Sequence, residues 1–541
     1  MNEKLDPVTT EVIGRRVLAA AEEMGVTLMR TAFSPNIKER NDFSTAIFSA
    51  RGEVVAQAEH VPIHLGSMIG AIESLQDRFP EHEIKPGDMF LANDPYNGGG
   101  SHLPDLNLVA PVFYDDRIVA YVANIAHHAD VGGMVPGSEA AVCNSIFQEG
   151  LRLPPVRFVN EGEVSRDVFG IVLLNSRTPE EREGDLNAQL AANYVGIRAI
   201  TAMVERYGPD LFEEALNSYL SFTERRFGAA IAALPDGKYS AEDFLSGDEL
   251  GTVARIACSV TVSGGTLTFD FSGTAPQLNT ARNIPNQALA ATIFCVVKAL
   301  LDPDAPANGG AFRVIEIKAP AGTIVQPVAP GPVGTRSISC SVLSDVIQLA
   351  LSQAIPGRSF AGSGPHHLLV LAGTDPRTGT YFVNYETVAG AIGAQGHRDG
   401  LDAVRTLTSG SANLPVEALE HAYPVRVETY ALRTGSGGSG KYRGGDGIIR
   451  DYRILADDVT VSLSGERQDV AAPGVGGGKN GATGFFMLDP HGAAEELPAA
   501  VQEQKLPRDS VFRVATPGGG GSGNPDHREA LRLEKDLREG R

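Results

Sequence analysis

The residues that could do chemistry gather between positions 98 and 130. His102, Asp105, His127, His128 and Asp130 stand at the two ends of LNLVAPVFYDDRIVAYVANIA, which has the pattern of one β-hairpin. Two neutral imidazoles and a carboxylate suit Zn, Mn or Fe and leave a coordination position for water or substrate. A single histidine in such a place is most often a solvated loop residue or a core residue satisfied by backbone, so the metal reading rests on convergence. Asp115, Asp116 and Arg117 mark the turn, with Asp105 ten residues before it and His127 eleven after. A two-residue loop sets Asp105 opposite Ala126, a three-residue loop sets it opposite His127, and that one-residue step decides which face each side chain takes. His102, linked to Asp105 through Pro104, curls onto the same open end, and Gly98, Gly99 and Gly100 let the preceding loop approach closely. Successive strand residues point to opposite faces, so His127 and His128 do not easily ligate one ion together.

Other signals are weaker. GSGGSGKY, from Gly435, has the Gly and Lys spacing of a phosphate-binding loop, but Tyr442 replaces the hydroxyl residue that would hold magnesium. GVGGGKNG, from Gly474, fails in the same way at Pro473 and Asn480, and both stretches read as turns. PGGGGSG, from Pro517, reads by composition as a flexible linker, with an ordered anion-binding nest as the alternative. No GxSxG elbow is present, and Cys143, Cys258, Cys295 and Cys340 form no CxxC pair, as buried thiols of a reducing cytoplasm would.

The elements that position these residues follow from hydrophobic period. Pro7, Thr9 and Thr10 open an amphipathic helix carrying Val12, Ile13, Val17, Leu18, Met24, Leu28 and Met29. NDFSTAIFSARGEVVAQAE reads as two strands around a turn at residues 50–52, residues 66–79 as a helix, and GDMFLAND as a strand entering a loop. Helices are expected over 180–207 and 210–234, and from Lys238 short strands with polar turns take over. The fold class is α+β, with an α+β domain over 1–235 carrying the metal site, a β-rich domain over 236–525, and a charged helix over 526–541. At 541 residues the chain exceeds what one hydrophobic core usually serves, so more than one structural unit is expected. The formal charge of −20, with no Lys/Arg run, argues against nucleic acid and anionic membrane. Without a signal-type apolar run or an uninterrupted stretch of about 18 apolar residues, a cytoplasmic protein is expected.

Seven segments, in order and spread over almost the whole chain, resemble the hydantoinase B family. That family includes the C-terminal half of 5-oxoprolinase and subunits of caprolactamase and of acetone and acetophenone carboxylases. The segments are DPVTTEVI at Asp6, ERNDFSTAIF at Glu39, HVPIHLGSM at His60, ANDPYNGGGSHLPDLNLVAPVF at Ala92, ANIAHHADVGGMVPGS at Ala123, FDFSGTAPQ at Phe269 and SGGSGKYRGGDGIIRDYR at Ser436. The resemblance implies a metal held by His102, Asp105 and His127, with Asp42 of the DFS segment as a further ligand. His128 and Asp130 are then expected to orient the ligands, and one of them to take a proton. The chain departs from the family where it reads TSGSANLPVEALE from Thr408, and at Ser522, where a tyrosine is usual; both departures bear on substrate.

The resemblance further implies a hetero-oligomer with a hydantoinase A type, actin-like ATPase subunit that uses ATP and Mg to phosphorylate the carbonyl oxygen of a cyclic amide. The divalent metal of this chain would then deliver hydroxide to the activated carbon and open the ring of a hydantoin, 5-oxoproline or another lactam. Two rival readings are a subunit of an ATP-dependent ketone carboxylase, in which the metal polarises an enolate, and a non-catalytic scaffold subunit.

Overall fold

The computed structural model describes residues 6–58, 61–247, 252–355 and 357–541. Glu59 and His60, within two of the quoted segments, and the first five residues lie outside them.

Asp6 caps the first helix, α1 (Pro7–Thr31), through its carboxylate and the Thr9 amide at 3.0 Å, with Pro7 at the first helical position. A one-turn helix, α2 (Pro35–Lys38), leads into a seven-stranded antiparallel sheet. Its strands are β1 (Phe43–Ser49), β2 (Val54–Ala58), β3 (Met89–Ala92), β4 (Asp105–Tyr114), β5 (Arg117–His127), β6 (Val156–Asn160) and β7 (Glu163–Val164). Their order across the sheet is β2-β1-β5-β4-β3-β6-β7. Helix α3 (His64–Arg78) crosses the interval between β2 and β3. After β7 come α4 (Arg166–Leu174), α5 (Pro179–Tyr207) and α6 (Pro209–Ala232), close to the expected bounds.

Both faces of this sheet are covered, which is why β4 and β5 read as almost unbroken apolar runs. Leu106, Leu108, Ala110 and Val112 pack with Ile13, Val17 and Met24 of α1 and Leu186 and Leu190 of α5. Val109, Ala123 and Ile125 pack on the other face with Met68 and Ile72 of α3.

The hairpin reaches its register by an unexpected route. Tyr114 pairs with Arg117 across a two-residue turn in which Asp115 has φ +50°, and a bulge beside Phe113 and Ile118 then shifts the ladder by one. Beyond the bulge Val112 pairs with Ala120, and Asp105 faces His127. The pairing expected from a three-residue loop is therefore produced by a two-residue turn plus one extra residue in β5.

Strands β8 (Gly237–Ser246), β9 (Val253–Ser263), β10 (Thr266–Asp270) and β11 (Ile315–Lys318) form a second sheet, covered by helices α7 (Asn286–Leu301) and α8 (Arg336–Ser352). Apolar residues of α7, α8 and this sheet share one continuous core with α3, β4 and β5. Two further sheets follow. One contains β12 (His367–Thr374), β13 (Tyr381–Val388), β16 (Val459–Ser464) and β19 (Ala500–Leu506); the other contains β14 (Val425–Leu432), β15 (Ile448–Ile454), β17 (Phe485–Leu488), β18 (Glu495–Leu497) and β20 (Val511–Ala515). Leu369, Leu371, Val461 and Leu463 from the first meet Tyr452, Phe486, Phe512 and Val514 from the second. A short helix, α9 (Val416–Ala422), precedes β14, and α10 (Ala530–Arg538) is the charged helix expected near the C-terminal end. Among the described residues no helix is long and apolar enough to cross a membrane.

PGGGGSG is not a linker. Residues 517–522 are buried, and their amides leave in turn toward different segments: Gly518 to the Ala482 carbonyl, Gly519 to Gly445, Gly520 to Gly362, Gly521 to Lys479 and Ser522 to Tyr442, at 2.8–3.0 Å. A Cβ on Gly520 would stand 2.1 Å from the Pro473 carbonyl oxygen, and one on Gly518 2.0 Å from that of Ser436. Backbone surrounds this strand on every side, so its composition answers to close packing rather than to freedom of movement. GSGGSGKY and GVGGGKNG supply surrounding segments, and neither opens a helix.

Candidate metal centre

Asp105 is the first residue of β4 and His127 the last of β5, directly opposite each other. His102 comes from the loop before β4, whose path depends on glycine: Gly99 has φ +72°, and a Cβ there would lie 1.8 Å from the Gly70 carbonyl carbon. The Asn93 side chain holds the same loop, its Nδ2 donating to the Leu103 carbonyl at 2.7 Å. His102, Asp105 and His127 each direct one donor atom to a common point, the three atoms lying within 4.8 Å of one another, and all three residues are buried.

The His102 Nε2 atom and the Asp105 Oδ1 atom are 3.1 Å apart, yet neither has a hydrogen-bond partner among the described residues. Buried polar atoms left in this way are costly, and a cation between them would satisfy both. The remaining valences are taken up by neighbours. Arg336, at the start of α8, donates to Asp105 Oδ2 at 2.7 Å, and Ser101 donates to the same oxygen at 3.1 Å. His102 Nδ1 lies 3.0 Å from the Gly334 carbonyl and 3.3 Å from Glu139 Oε1, which is also 3.3 Å from His127 Nε2. Glu149 accepts from the Val333 and Gly334 amides at 2.7 Å each and so fixes the peptide that meets His102. The His127 ring stacks on Tyr385 at 4.4 Å, and Asn36 donates to its carbonyl at 2.7 Å.

The electrostatics favour positive charge at this point. Burial alone would raise the Asp105 carboxyl, but His102 and Arg336 outweigh it and hold it well below the usual carboxylate range. Burial also opposes ionisation of Glu139, and hydrogen bonds with His102 and His127 bring it down to about 2. Burial and Arg336 disfavour a charged His102, but Asp105 and Glu139 pull it up to about 9. Burial pushes His64 down.

Asp42 stands beside this group rather than in it. His64 Nε2 lies 3.7 Å from both Asp42 Oδ1 and Asp105 Oδ1 and so links the two carboxylates. His128 and Asp130 are not among the converging donor atoms. The His128 Nε2 atom is 3.0 Å from Gln189 Oε1, its amide donates to the Pro104 carbonyl at 2.9 Å, and burial followed by Arg182 lowers its pKa to about 4. The Asp130 carboxylate accepts from the Gly132, Gly137 and Arg177 amides and from the Arg177 guanidinium, at 2.9–3.1 Å, and organises the loop after β5.

Sequence reasoning missed His64, Glu139, Glu149, Arg336 and Tyr385. His64 lies within the quoted HVPIHLGSM, and Glu139 is the residue just beyond the quoted segment that ends in VPGS; the other three reach the site only through the tertiary fold. A small cavity of about 30 Å³, near the volume one water requires, adjoins the cluster, bounded by Asp42, His64, His127, Arg336, Tyr385 and Arg405 among others.

The chain matches the hydantoinase B/oxoprolinase family over residues 6–525. It is 37% identical over 539 residues to an uncharacterized protein of Methanocaldococcus jannaschii, covering 99% of this chain and 94% of that one. It is 32% identical over 557 residues to the caprolactamase subunit beta of Pseudomonas jessenii, with 99% and 94% covered. A crystal structure of the ATP-dependent caprolactamase from the same organism superposes with a TM-score of 0.92 at 29% identity, over 99% of this chain and 94% of that one. The chain therefore belongs to the hydantoinase B/oxoprolinase family.

Proposed function

We propose that this chain is the metal-dependent, ring-opening subunit of an ATP-dependent amidohydrolase acting on a hydantoin, 5-oxoproline or another lactam. Its partner is a hydantoinase A type ATPase subunit that phosphorylates the amide carbonyl. The observation that carries the proposal is the pair of orphaned, facing atoms, His102 Nε2 and Asp105 Oδ1, beside His127 in a buried cavity. His102, Asp105 and His127 hold the ion, with Asp42 one histidine away. A bound Zn, Mn or Fe would supply Lewis acidity and a strong oxygen nucleophile near neutral pH.

The surrounding residues have separable tasks. Arg336 keeps Asp105 ionised, and Glu139 and Gly334 orient the His102 ring. His64, which lines the cavity and is kept neutral by burial, takes the proton. His128 and Asp130 position the ligands: the first ties β5 to the Pro104 link between His102 and Asp105, the second fixes the loop that follows.

Reconstitution tests this reading. The purified chain alone is expected to turn over no ATP, and ATP hydrolysis coupled to ring opening of a lactam is expected only after mixing with the ATPase subunit. Robust ATP hydrolysis by the isolated chain, or coupled turnover that survives removal of the metal, would overturn it.

A further inference from the structure

Other buried arginines have carboxylate partners: Arg336, at the cluster itself, pairs with Asp105 at 2.7 Å, and farther off Arg182 pairs with Asp185 at 3.0 Å, Arg450 with Glu386 at 2.8 Å and Arg467 with Asp243 at 2.5 Å. Two arginines next to the metal cluster do not. Arg40, 1% exposed, donates to Asn36 Oδ1, the Tyr385 carbonyl and Thr387 Oγ1 at 2.5–2.8 Å. Arg405, half-buried in the cavity wall, donates to the hydroxyls of Ser409 and Ser411, to the Thr387 carbonyl and, at 3.4 Å, to Asn413 Oδ1. Among the described residues neither guanidinium forms an ion pair with a carboxylate, and the two flank the same residue, Thr387.

Arg40 is held out of water on neutral acceptors alone, which is costly, and Arg405 has only the longer-range charges of Asp42 and Glu386 to offset its own. Burial, then the charge of Arg40, presses the ionisation of Arg405 downward. A guanidinium nevertheless stays protonated at neutral pH, so the cost persists until an anion arrives. The Ser409 and Ser411 hydroxyls accept from Arg405, which leaves their own protons to donate. Asp42 lines the same cavity, beside His64, and favours the charged form of Arg405.

The loop carrying these serines also separates two spaces. Thr408, Ser409 and Ser411 line the inner cavity, whereas Leu407 and Gly410 line an outer, mostly apolar one of about 340 Å³ with Pro62 and Phe294.

We propose that Arg405, with the hydroxyls of Ser409 and Ser411, is an oxyanion subsite that binds a carboxylate or phosphate carried by the substrate while its reacting carbonyl lies at the His102, Asp105 and His127 cluster. The proposal deepens the reading given above and rests on it for the identity of the reacting centre. It also assigns a role to the TSGSAN stretch, where this chain departs from the family pattern.

The test is calorimetric titration of the purified, metal-loaded full chain with orthophosphate, with 5-oxoproline and with uncharged 2-pyrrolidone, in wild type, Arg405→Lys and Arg405→Gln. Wild type should bind at least one of the two anions. Arg405→Gln should weaken that binding about 10- to 100-fold, the range expected for a lost charged hydrogen bond, while Arg405→Lys retains most of it. A preference for orthophosphate identifies the phosphorylated carbonyl as the source of the anion, and a preference for 5-oxoproline over 2-pyrrolidone identifies a ring carboxylate. Thermal melts confirm that the compared variants are folded, and Arg405→Lys carries the comparison should Arg405→Gln not be. No anion binding by wild type, or equal affinity in wild type and folded Arg405→Gln, overturns the subsite. Metal analysis of the same samples separates the two proposals: anion binding through Arg405 in a chain that takes up no metal removes the metal reading and leaves the subsite standing.

Discussion

The metal centre and the glycine strand at residues 517–522 are both buried, and they are built by opposite means. At the centre, side chains from distant segments meet: His102 and Asp105 from one edge of the hairpin, His127 from the other, Arg336 from α8. At the glycine strand, backbone meets backbone, and a Cβ at any of Gly518, Gly519, Gly520 or Gly521 would collide. Substitution at the centre should therefore remove chemistry and spare the fold, whereas substitution at the strand should remove the fold. Helix α8 connects the two, since Arg336 reaches Asp105 at one end while Asp345 accepts from the Ser363 amide at 2.7 Å, next to the Gly362 carbonyl that receives Gly520.

The largest effect is expected from Gly520→Ala. With a new Cβ 2.1 Å from the Pro473 carbonyl oxygen, the strand must move or its neighbours must part. A loss on the order of 4 kcal/mol, or failure to accumulate soluble protein, should appear in urea unfolding. A stability within about 1 kcal/mol of wild type would mean that this region yields as a linker does.

The next effect separates adjacent histidines at the centre. His127→Ala should lose metal and turnover together, whereas His128→Ala should keep the metal and lower turnover about 10- to 100-fold through misplaced ligands. Both should remain folded by circular dichroism. Metal retained in His127→Ala but lost in His128→Ala would reverse the assignment.

The smallest effect concerns α8 and is read as pH dependence. Burial, partly offset by Arg467, raises the Asp345 carboxyl from 3.8 to about 7. A carboxyl raised on folding favours the folded state once protonated, so its contribution improves as pH falls from about 7 toward 3.8 and is lost as pH rises through 7. His367 has the opposite sign: burial lowers it to about 4, so its contribution is full above its usual 6.5 and declines as pH falls from there toward 4. Asp345→Asn should remove the first slope and leave the opposing one of His367, so the unfolding free energy at pH 8 should rise relative to that at pH 5 when compared with wild type. An unchanged difference between these pH values would show that Asp345 is not the titrating group.

The same contrast explains what could be read from sequence. The α+β class, the leading helix, the hairpin and the proximity of Asp105 to His127 follow from local period and turn residues, which the fold preserves. The register was reached through a different turn, because a bulge in β5 leaves no mark distinct from its apolar neighbours. Arg336, Tyr385 and Arg405 lie more than 200 residues from the histidines they surround and carry no local motif, so their roles exist only after the sheets pack. The glycine strand was illegible for a related reason. PGGGGSG has the same composition as a free linker and as a tightly enclosed strand, and only the neighbours decide which it is.

The central claim is that His102 and Asp105 bind a metal ion, and elemental analysis of protein purified without chelator tests it most directly. Wild type should carry about one Zn, Mn or Fe per chain, and His102→Ala and Asp105→Ala should each lose most of it while remaining folded, since two imidazoles and a carboxylate leave no spare ligands. Full metal content in both variants, or none in wild type, would contradict the account.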